Sequence, residues 1–301
     1  MNKNHKIQVG GQAVIEGVMM RSPEYVAVAV RKPDDTIIVK KEPYISWTKR
    51  NKLLDLPLIR GGVILIESLV LGIKALNFSG DVAMQEEKNH KESKNNRLWL
   101  TLTVIAALAL GIGFFFYLPL KLTELTGIEN NTLFNLIDGI IRLLFLLTYI
   151  FLISRWKEIK RIFEYHGAEH LSIFTYENKK PLTYSSARTY TTHHPRCGTS
   201  FLFMVMIVAI LVFILLGKPE SITDRIIRLL FVPVIGGISY EIIKLSGKKF
   251  GTKIAKIVTA PGLWLQHLTT KQPDEKQLEV AFTALKSSLN MKLDSNIEVI
   301  E

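Results

Sequence analysis

The sequence predicts an α-helical polytopic membrane protein with four transmembrane helices, one interfacial helix and a small N-terminal cytoplasmic β unit. Of its 301 residues, 48% are hydrophobic although 22% are charged, so the apolar residues must be concentrated in blocks. The net charge of +11 falls in the polar segments between those blocks. The single cysteine excludes an intramolecular disulfide and fits a reducing compartment.

Residues 1–57 are predicted to form the cytoplasmic β-rich unit. Valines at 26, 28 and 30 alternate with alanines at 27 and 29, which is the two-residue period of a strand. A turn at Pro33-Asp34-Asp35 separates this strand from the apolar run Ile37–Val39. We therefore expect a small antiparallel sheet at the start of the chain.

Residues 58–97 are predicted to be an amphipathic helix followed by a charged linker. Within Leu58–Leu76 the charged residues Arg60, Glu67 and Lys74 recur every seven positions and form one polar stripe on a helix. Such a helix either lies in the membrane interface or packs against the spans. Spanning is disfavoured because it would place basic segments on both sides of the membrane. The sequence leaves open whether residues 58–76 span or lie in the interface.

Four later segments are long and apolar enough to span a bilayer. They divide the rest of the chain into a hairpin (98–153), a polar loop (154–200), a second hairpin (201–245) and a tail (246–301). The predicted spans are Leu98–Leu120, Leu133–Ile153, Phe201–Gly217 and Ile226–Leu245.

Basic residues predict the orientation of these spans. Residues 154–200 carry eight lysines and arginines, whereas residues 121–132 and 218–225 carry few. The positive-inside rule then places the 154–200 loop and both termini in the cytoplasm of a multi-pass cell-membrane protein. The lipid bilayer accounts for the basic charge, and no motif indicates a nucleic-acid partner.

The candidate chemistry is concentrated in the 33 residues from Tyr165 to Cys197, which hold four of the seven histidines and the only cysteine. The pattern begins His166-x-x-Glu169-His170. On a helix these three residues share one face, because successive residues turn by about 100°. This spacing is that of the inverted zinc-protease motif, in which two histidines bind the metal and the glutamate acts on water.

The end of this stretch supplies further ligands. His194 and Cys197 lie three residues apart, and either one completes a tetrahedral shell with His166 and His170. The expected cofactor is a divalent metal. Zinc is expected because the candidate ligands are histidine and cysteine side chains. Glu16 is a second catalytic candidate or a third ligand; its alternative is an ion pair with Arg21. The alternative hypothesis is that the histidines are hydrogen-bonded structural groups, which leaves the cluster without a metal.

Four blocks together, Gly10–Arg21, Tyr165–His170, His194–Ser200 and Pro261–Ala284, resemble the YqhQ-like family of bacterial membrane proteins. The resemblance covers nearly the full length and implies a metal-dependent enzyme. It implies a metal at the five positions His166, Glu169, His170, His194 and Cys197. The chain has Leu171 where the family pattern has a lysine, so a basic residue has no role there.

The leading functional hypothesis is a metal-dependent hydrolase at the cytoplasmic membrane face. Its substrate would be a lipid-linked molecule or a peptide, with Glu169 as general base. The alternative is a non-enzymatic scaffold or assembly factor whose cluster only ties the spans together. An ion transporter ranks last, because Asp138 and Glu241 are the only acidic residues in the spans and both are predicted near span ends.

Overall fold

The computed structural model describes residues 7–83, 94–248, 252–293 and 297–300. It is mostly helical, with one small sheet near the N-terminus, which confirms the predicted fold class. The helices are Trp47–Arg50 (α1), Ile59–Ala83 (α2), Lys94–Ile112 (α3), Leu118–Glu124 (α4), Asn131–Ile153 (α5), Lys157–Glu177 (α6), Tyr184–Ala187 (α7), Gly198–Leu216 (α8), Ile222–Leu230 (α9), Val232–Lys248 (α10), Lys253–Thr269 (α11) and Glu275–Ser288 (α12).

The sheet has five strands in sequential order, each hydrogen-bonded to the next. The first four are antiparallel, as the alternating pattern predicts. The fifth pairs in parallel with the fourth, so the C-terminus returns to the N-terminal unit. The strands are Gly10–Val14 (β1), Gly17–Arg21 (β2), Tyr25–Arg31 (β3), Ile37–Pro43 (β4) and Glu298–Ile300 (β5).

Both faces of this sheet are buried. The face bearing Ala27 and Ala29 packs against α6 and α12 in the largest hydrophobic core. The opposite face, bearing the three valines of β3, packs against the C-terminal half of α2 through Ala75 and Phe78. Small residues on one face and branched residues on the other explain why two helices approach the first face closely. Segments from the start, middle and end of the chain therefore meet in one lobe.

Helix α2 connects this lobe to the apolar helices. Near its start Gly61 lies against Gly237 of α10, where an added Cβ would stand 2.7 Å from the Gly237 Cα. Arg60 forms a two-pronged ion pair with Glu241, with a 2.6 Å bond from Nε to Oε1. Glu67 is buried and accepts hydrogen bonds from Ser46 and the Trp47 backbone. The predicted polar stripe therefore makes specific contacts at two of its three positions.

Among the described residues, four helical segments are long and apolar enough to cross a membrane, by length and composition. The chain is thus a multi-pass membrane protein, as predicted. The fourth segment bends at Phe231, two residues before Pro233, which lacks a helical donor. The segments are Ile105–Glu124, Asn131–Ile153, Gly198–Leu216 and Ile222–Ser246.

Arg142 has a structural role inside the first hairpin. The first span contains a π-helical turn, Gly113–Tyr117, followed by Pro119. Proline cannot donate to the carbonyl four residues earlier, which belongs to Phe115. Arg142 Nη1 donates to that carbonyl at 3.3 Å, while its Nε bonds to Asp138 at 2.9 Å. The charged pair is therefore a packing element inside the hairpin.

The second span and the next helix are separate elements, since α5 ends at Ile153 and α6 starts at Lys157. Trp156 has extended backbone (ψ 136°), so the chain turns between the two helices. The turn lets α6 leave the span and lie on the sheet. The histidine motif on α6 therefore belongs to the sheet lobe and to the span ends at once.

Candidate functional site

Helix α6 presents its motif to a cavity of about 520 Å³ between the sheet and the apolar helices. The cavity is lined by β1 and the ends of β2, the middle of α2, one face of α6, and the loop that leads into α8. His166, Glu169, His170, His194 and Cys197 all line it. The structure thus brings together five of the six site residues that the sequence predicted.

Three of these side chains form a group that could hold a metal. Ligand atoms of His166, His170 and Cys197 lie within 4.8 Å of one another. His166 Nε2 is 3.1 Å from Cys197 Sγ. Zinc bonds of 2.0–2.3 Å in a tetrahedral site put ligand atoms about 3.3–3.7 Å apart, so the observed spacing is close to that of a bound ion.

The second nitrogen of each histidine fixes the ring orientation. His166 Nδ1 lies 2.8 Å from the carbonyl oxygen of Thr269, and His170 Nδ1 lies beside the carbonyl oxygen of Thr192. A carbonyl only accepts, so both Nδ1 atoms carry the proton and both Nε2 lone pairs face the cysteine. This is the outer-shell arrangement of metal-bound histidines.

The ring of His170 is buried, and one of its nitrogens lacks a hydrogen-bond partner among the described residues. Its side chain is only 1% exposed, and its Nε2 finds no hydrogen-bond partner among the described residues. Burial lowers the pKa of His170, which keeps the ring neutral. A buried nitrogen without a partner is costly unless something binds it. The two histidine nitrogens and the cysteine sulfur therefore fit a soft divalent metal.

Cys197 owes its position to the start of α8. It is the N-cap of that helix, its Sγ accepts from the Thr199 N–H, and it is buried. Pro195 two residues earlier prevents a regular helix through His194, so the chain turns into the helix there. The turn places the thiol next to α6. The sequence predicted α8 to start at Phe201, three residues later than observed.

Glu169 is buried beside the cluster and the backbone of β1. An added Cβ on Gly11 would stand 2.8 Å from Glu169 Cγ, so only glycine permits this approach. Burial raises the pKa of Glu169, while the neighbouring His166 and His194 rings and a backbone hydrogen bond from Gly11 oppose that rise. A carboxyl with a raised pKa next to candidate ligands is typical of a group that takes and returns a proton.

His194 lies in the cavity wall but is turned from the three-ligand group. Its Nδ1 accepts from the Arg196 N–H at 3.3 Å, and its Nε2 points to Glu177 Oε2 at 3.7 Å. Burial lowers the pKa of His194 to about 4, so the ring is neutral. Its ring centroid is 5.6 Å from that of His170. This geometry supports a packing role for His194 and leaves Cys197 as the third candidate ligand.

Glu16 is placed apart from the histidines. It occupies the β1–β2 turn with a positive φ of 49° and does not line the cavity. Its carboxylate forms a two-pronged ion pair with Arg161 and accepts from the Tyr165 hydroxyl at 3.3 Å. The partner is thus an arginine on α6, where the sequence suggested Arg21. The geometry does not bring Glu16 to the cluster as catalytic base or third ligand.

Sequence reasoning missed the groups that hold the site in place. Gln266 of α11 is fully buried against the His194 backbone, and the orienting oxygens at Thr192 and Thr269 belong to the main chain. A main-chain oxygen has no sequence signature, since any residue supplies it. Gln266, directly after the apolar run Leu263–Leu265, was the one available signal.

Comparison with known proteins agrees with this picture of the chain. Residues 56–291 match a family described as "Protein of unknown function (DUF1385)". The chain is 36% identical to "Uncharacterized protein YqhQ" of Bacillus subtilis (strain 168), over 96% of this chain and 95% of that protein. No solved structure matches it. The chain therefore belongs to the YqhQ-like family, as its four sequence blocks predicted.

Proposed function

We propose that this protein is a metal-dependent hydrolase of the membrane, with its site on the cytoplasmic side. The observation that carries the proposal is the pair of histidine Nε2 atoms that face Cys197, each ring fixed by a carbonyl at Nδ1. His166, His170 and Cys197 would hold the ion, and zinc suits one thiolate with two imidazoles. When bound, such an ion polarises a carbonyl and lowers the pKa of water.

An incomplete shell favours catalysis over a purely structural metal. Structural zinc sites have four protein ligands, whereas catalytic sites have three and keep one position open. Among the described residues the ligand group has three members and borders the cavity. The fourth position would therefore face the space that a substrate enters.

Glu169 would be the proton carrier. In hydrolysis the oxygen of water bonds to the acyl carbon, the bond to the leaving group breaks, and one proton must move from the water to that leaving group. Glu169 accepts the proton and then donates it. The raised pKa of Glu169 suits the donating step, and the hydrogen bond from Gly11 suits the accepting step. The substrate would be a lipid-linked molecule or a peptide reached at the membrane surface.

The first test is the metal content of detergent-purified protein by mass spectrometry, after purification without chelators. We expect near-stoichiometric zinc in the wild type and none in the His166→Ala, His170→Ala double variant. His193→Ala is the matched control, because His193 stacks on His267 with centroids 4.1 Å apart and is outside the ligand group. Wild-type protein without metal would refute the proposal.

The second test separates an enzyme from a scaffold. Glu169→Gln should retain metal and fold but reduce hydrolysis by about 10²–10⁴-fold, the usual contribution of a general base. Glu158→Gln on the exposed start of the same helix should have no effect. The scaffold alternative is favoured by the way Cys197 joins α8 to α6. It predicts that Glu169→Gln is harmless and that Cys197→Ser unfolds the protein.

The orientation is also part of the proposal. The short connections 125–130 and 217–221 contact each other, since Lys218 Nζ donates to the Ile128 carbonyl at 3.0 Å. Positive-inside places these connections outside and the sheet lobe inside. In a Cys197→Ser background, a cysteine at Glu129 should react with an impermeant thiol reagent on intact cells, and one at Lys179 should not. The reverse labelling would overturn the topology.

A further inference from the structure

The cavity opens along the free edge of the sheet. Among the described residues, strand β1 is the first strand in the sheet order and pairs with β2 on one side only. Its residues 10–13 line the cavity on the other side, together with the candidate ligands. An edge strand offers a row of backbone donors and acceptors that another extended chain can pair with. Here that row borders the candidate site.

The register identifies which backbone groups face outward. Val14 pairs with Gly17 across a two-residue turn, and a hairpin of this kind closes with a hydrogen-bonded pair. Residues 10, 12 and 14 therefore bond to β2, and residues 11, 13 and 15 face away from it. Two contacts agree: the Ile15 N–H donates to Ser79 Oγ at 3.2 Å, and the Gly11 backbone bonds to Glu169.

Ala13 is the position between these two contacts. Its outward N–H and carbonyl have no hydrogen-bond partner among the described residues. The Gly11 carbonyl faces the same way. One donor, the Ala13 N–H, and two acceptors, the Ala13 and Gly11 carbonyls, thus lie open beside the cavity, and the Glu169 carboxyl stands at one end of the row. The spacing of this row matches the backbone of an extended peptide better than it matches a headgroup or an acyl chain.

We propose that the substrate is an extended polypeptide segment that adds to β1 as a further strand. This proposal rests on the proposed hydrolase and deepens it by naming the substrate class. Pairing would lay the peptide backbone next to Glu169 and Cys197, so strand addition would position the bond to be cleaved. The arginine of the cavity rim nearest Cys197, Arg196, is already paired with Glu177, which weakens the case for an anionic lipid headgroup.

The experiment uses full-length protein in lipid nanodiscs and a pool of short, capped peptides of random sequence that carry benzoylphenylalanine. After illumination, crosslinked residues are mapped by mass spectrometry. We expect crosslinks on β1 and on the facing parts of α2 and α6. Crosslinking measures binding and needs no turnover. It is measured with metal present and after chelation, so that a failure of peptide binding is distinguishable from a failure of the hydrolase proposal. Crosslinking by metal-loaded protein that leaves the same peptides uncleaved would support peptide binding but refute hydrolysis.

Ala13→Pro tests the backbone role, because proline removes the outward N–H and is tolerated on edge strands. Loss of one hydrogen bond should lower the crosslinking yield by up to about tenfold. Ala13→Gly, which keeps the N–H, is the matched control and should retain the yield. Unfolding temperature and metal content should match in the two variants. Equal crosslinking in both, or displacement of the peptides by phosphatidylglycerol, would overturn the proposal.

Discussion

Gln266 holds the backbone of His194 from both sides. Its Oε1 accepts from the His194 N–H at 2.7 Å, and its Nε2 donates to the His194 carbonyl at 2.9 Å. The same Nε2 lies 3.2 Å from Ser200 Oγ on α8. One buried amide thus fixes the turn that carries Cys197 into the site. This contact joins α11 to the start of α8, two elements that are far apart in the sequence.

Gln266→Leu should destabilise the protein and loosen the metal site. It keeps the volume but leaves the His194 N–H and carbonyl buried without partners, at about 1–3 kcal/mol each. Thermal unfolding in detergent and zinc affinity measure the two effects. Gln272→Leu, at an exposed position, is the control. Unchanged stability and affinity in Gln266→Leu would contradict the bracing role.

Cys197→Ser should weaken metal binding without removing the N-cap of α8. A serine hydroxyl caps a helix at least as well as a thiol but is a poor zinc ligand at neutral pH. We expect affinity to fall by more than the roughly 10–100-fold that loss of an outer-shell partner costs. Cobalt-loaded wild type should show a thiolate-to-metal absorption band that the variant lacks. The same band in the variant would exclude Cys197 as a ligand.

Gly11→Ala should reduce activity while the metal remains bound. The new methyl would stand 2.8 Å from both Glu169 Cγ and the Met19 carbonyl oxygen, so the carboxyl must move. Gly10→Ala on the same strand is the control, since an added Cβ there meets nothing within 4 Å. Hydrolysis rate and zinc content are measured for both. Equal rates in the two variants would mean that Glu169 does not act from its observed position.

Asp138→Asn should destabilise the spans more than Arg142→Met. Asp138 bonds to Arg142 at 2.9 Å and lies 3.9 Å from the buried Arg228, so one carboxylate serves two guanidinium groups. Removing it leaves both cations uncompensated, at about 3–5 kcal/mol for a broken buried pair. Removing Arg142 leaves a balanced pair of Asp138 and Arg228. Thermal unfolding in detergent ranks the variants, and the opposite order would contradict this account.

The sequence by itself determined the class of protein and most of the side chains that line the candidate site. Apolar blocks of spanning length, the alternating strand of residues 26–30 and the spacing of His166, Glu169 and His170 are local patterns, and each depends on one element only. That is why the spans, the sheet and the shared face of α6 agree with the structure.

Only the tertiary structure decided which candidates meet. His194 and Cys197 looked equivalent in sequence, but the Arg196 N–H occupies one nitrogen of His194, whereas the cap of α8 directs Cys197 to His166. Glu16 meets Arg161 because the sheet packs on α6, a contact between residues 145 positions apart. The orienting carbonyls of Thr192 and Thr269 come from main chain that any sequence provides. Long-range packing and main-chain contacts leave no local pattern in the sequence, so only the tertiary structure shows them.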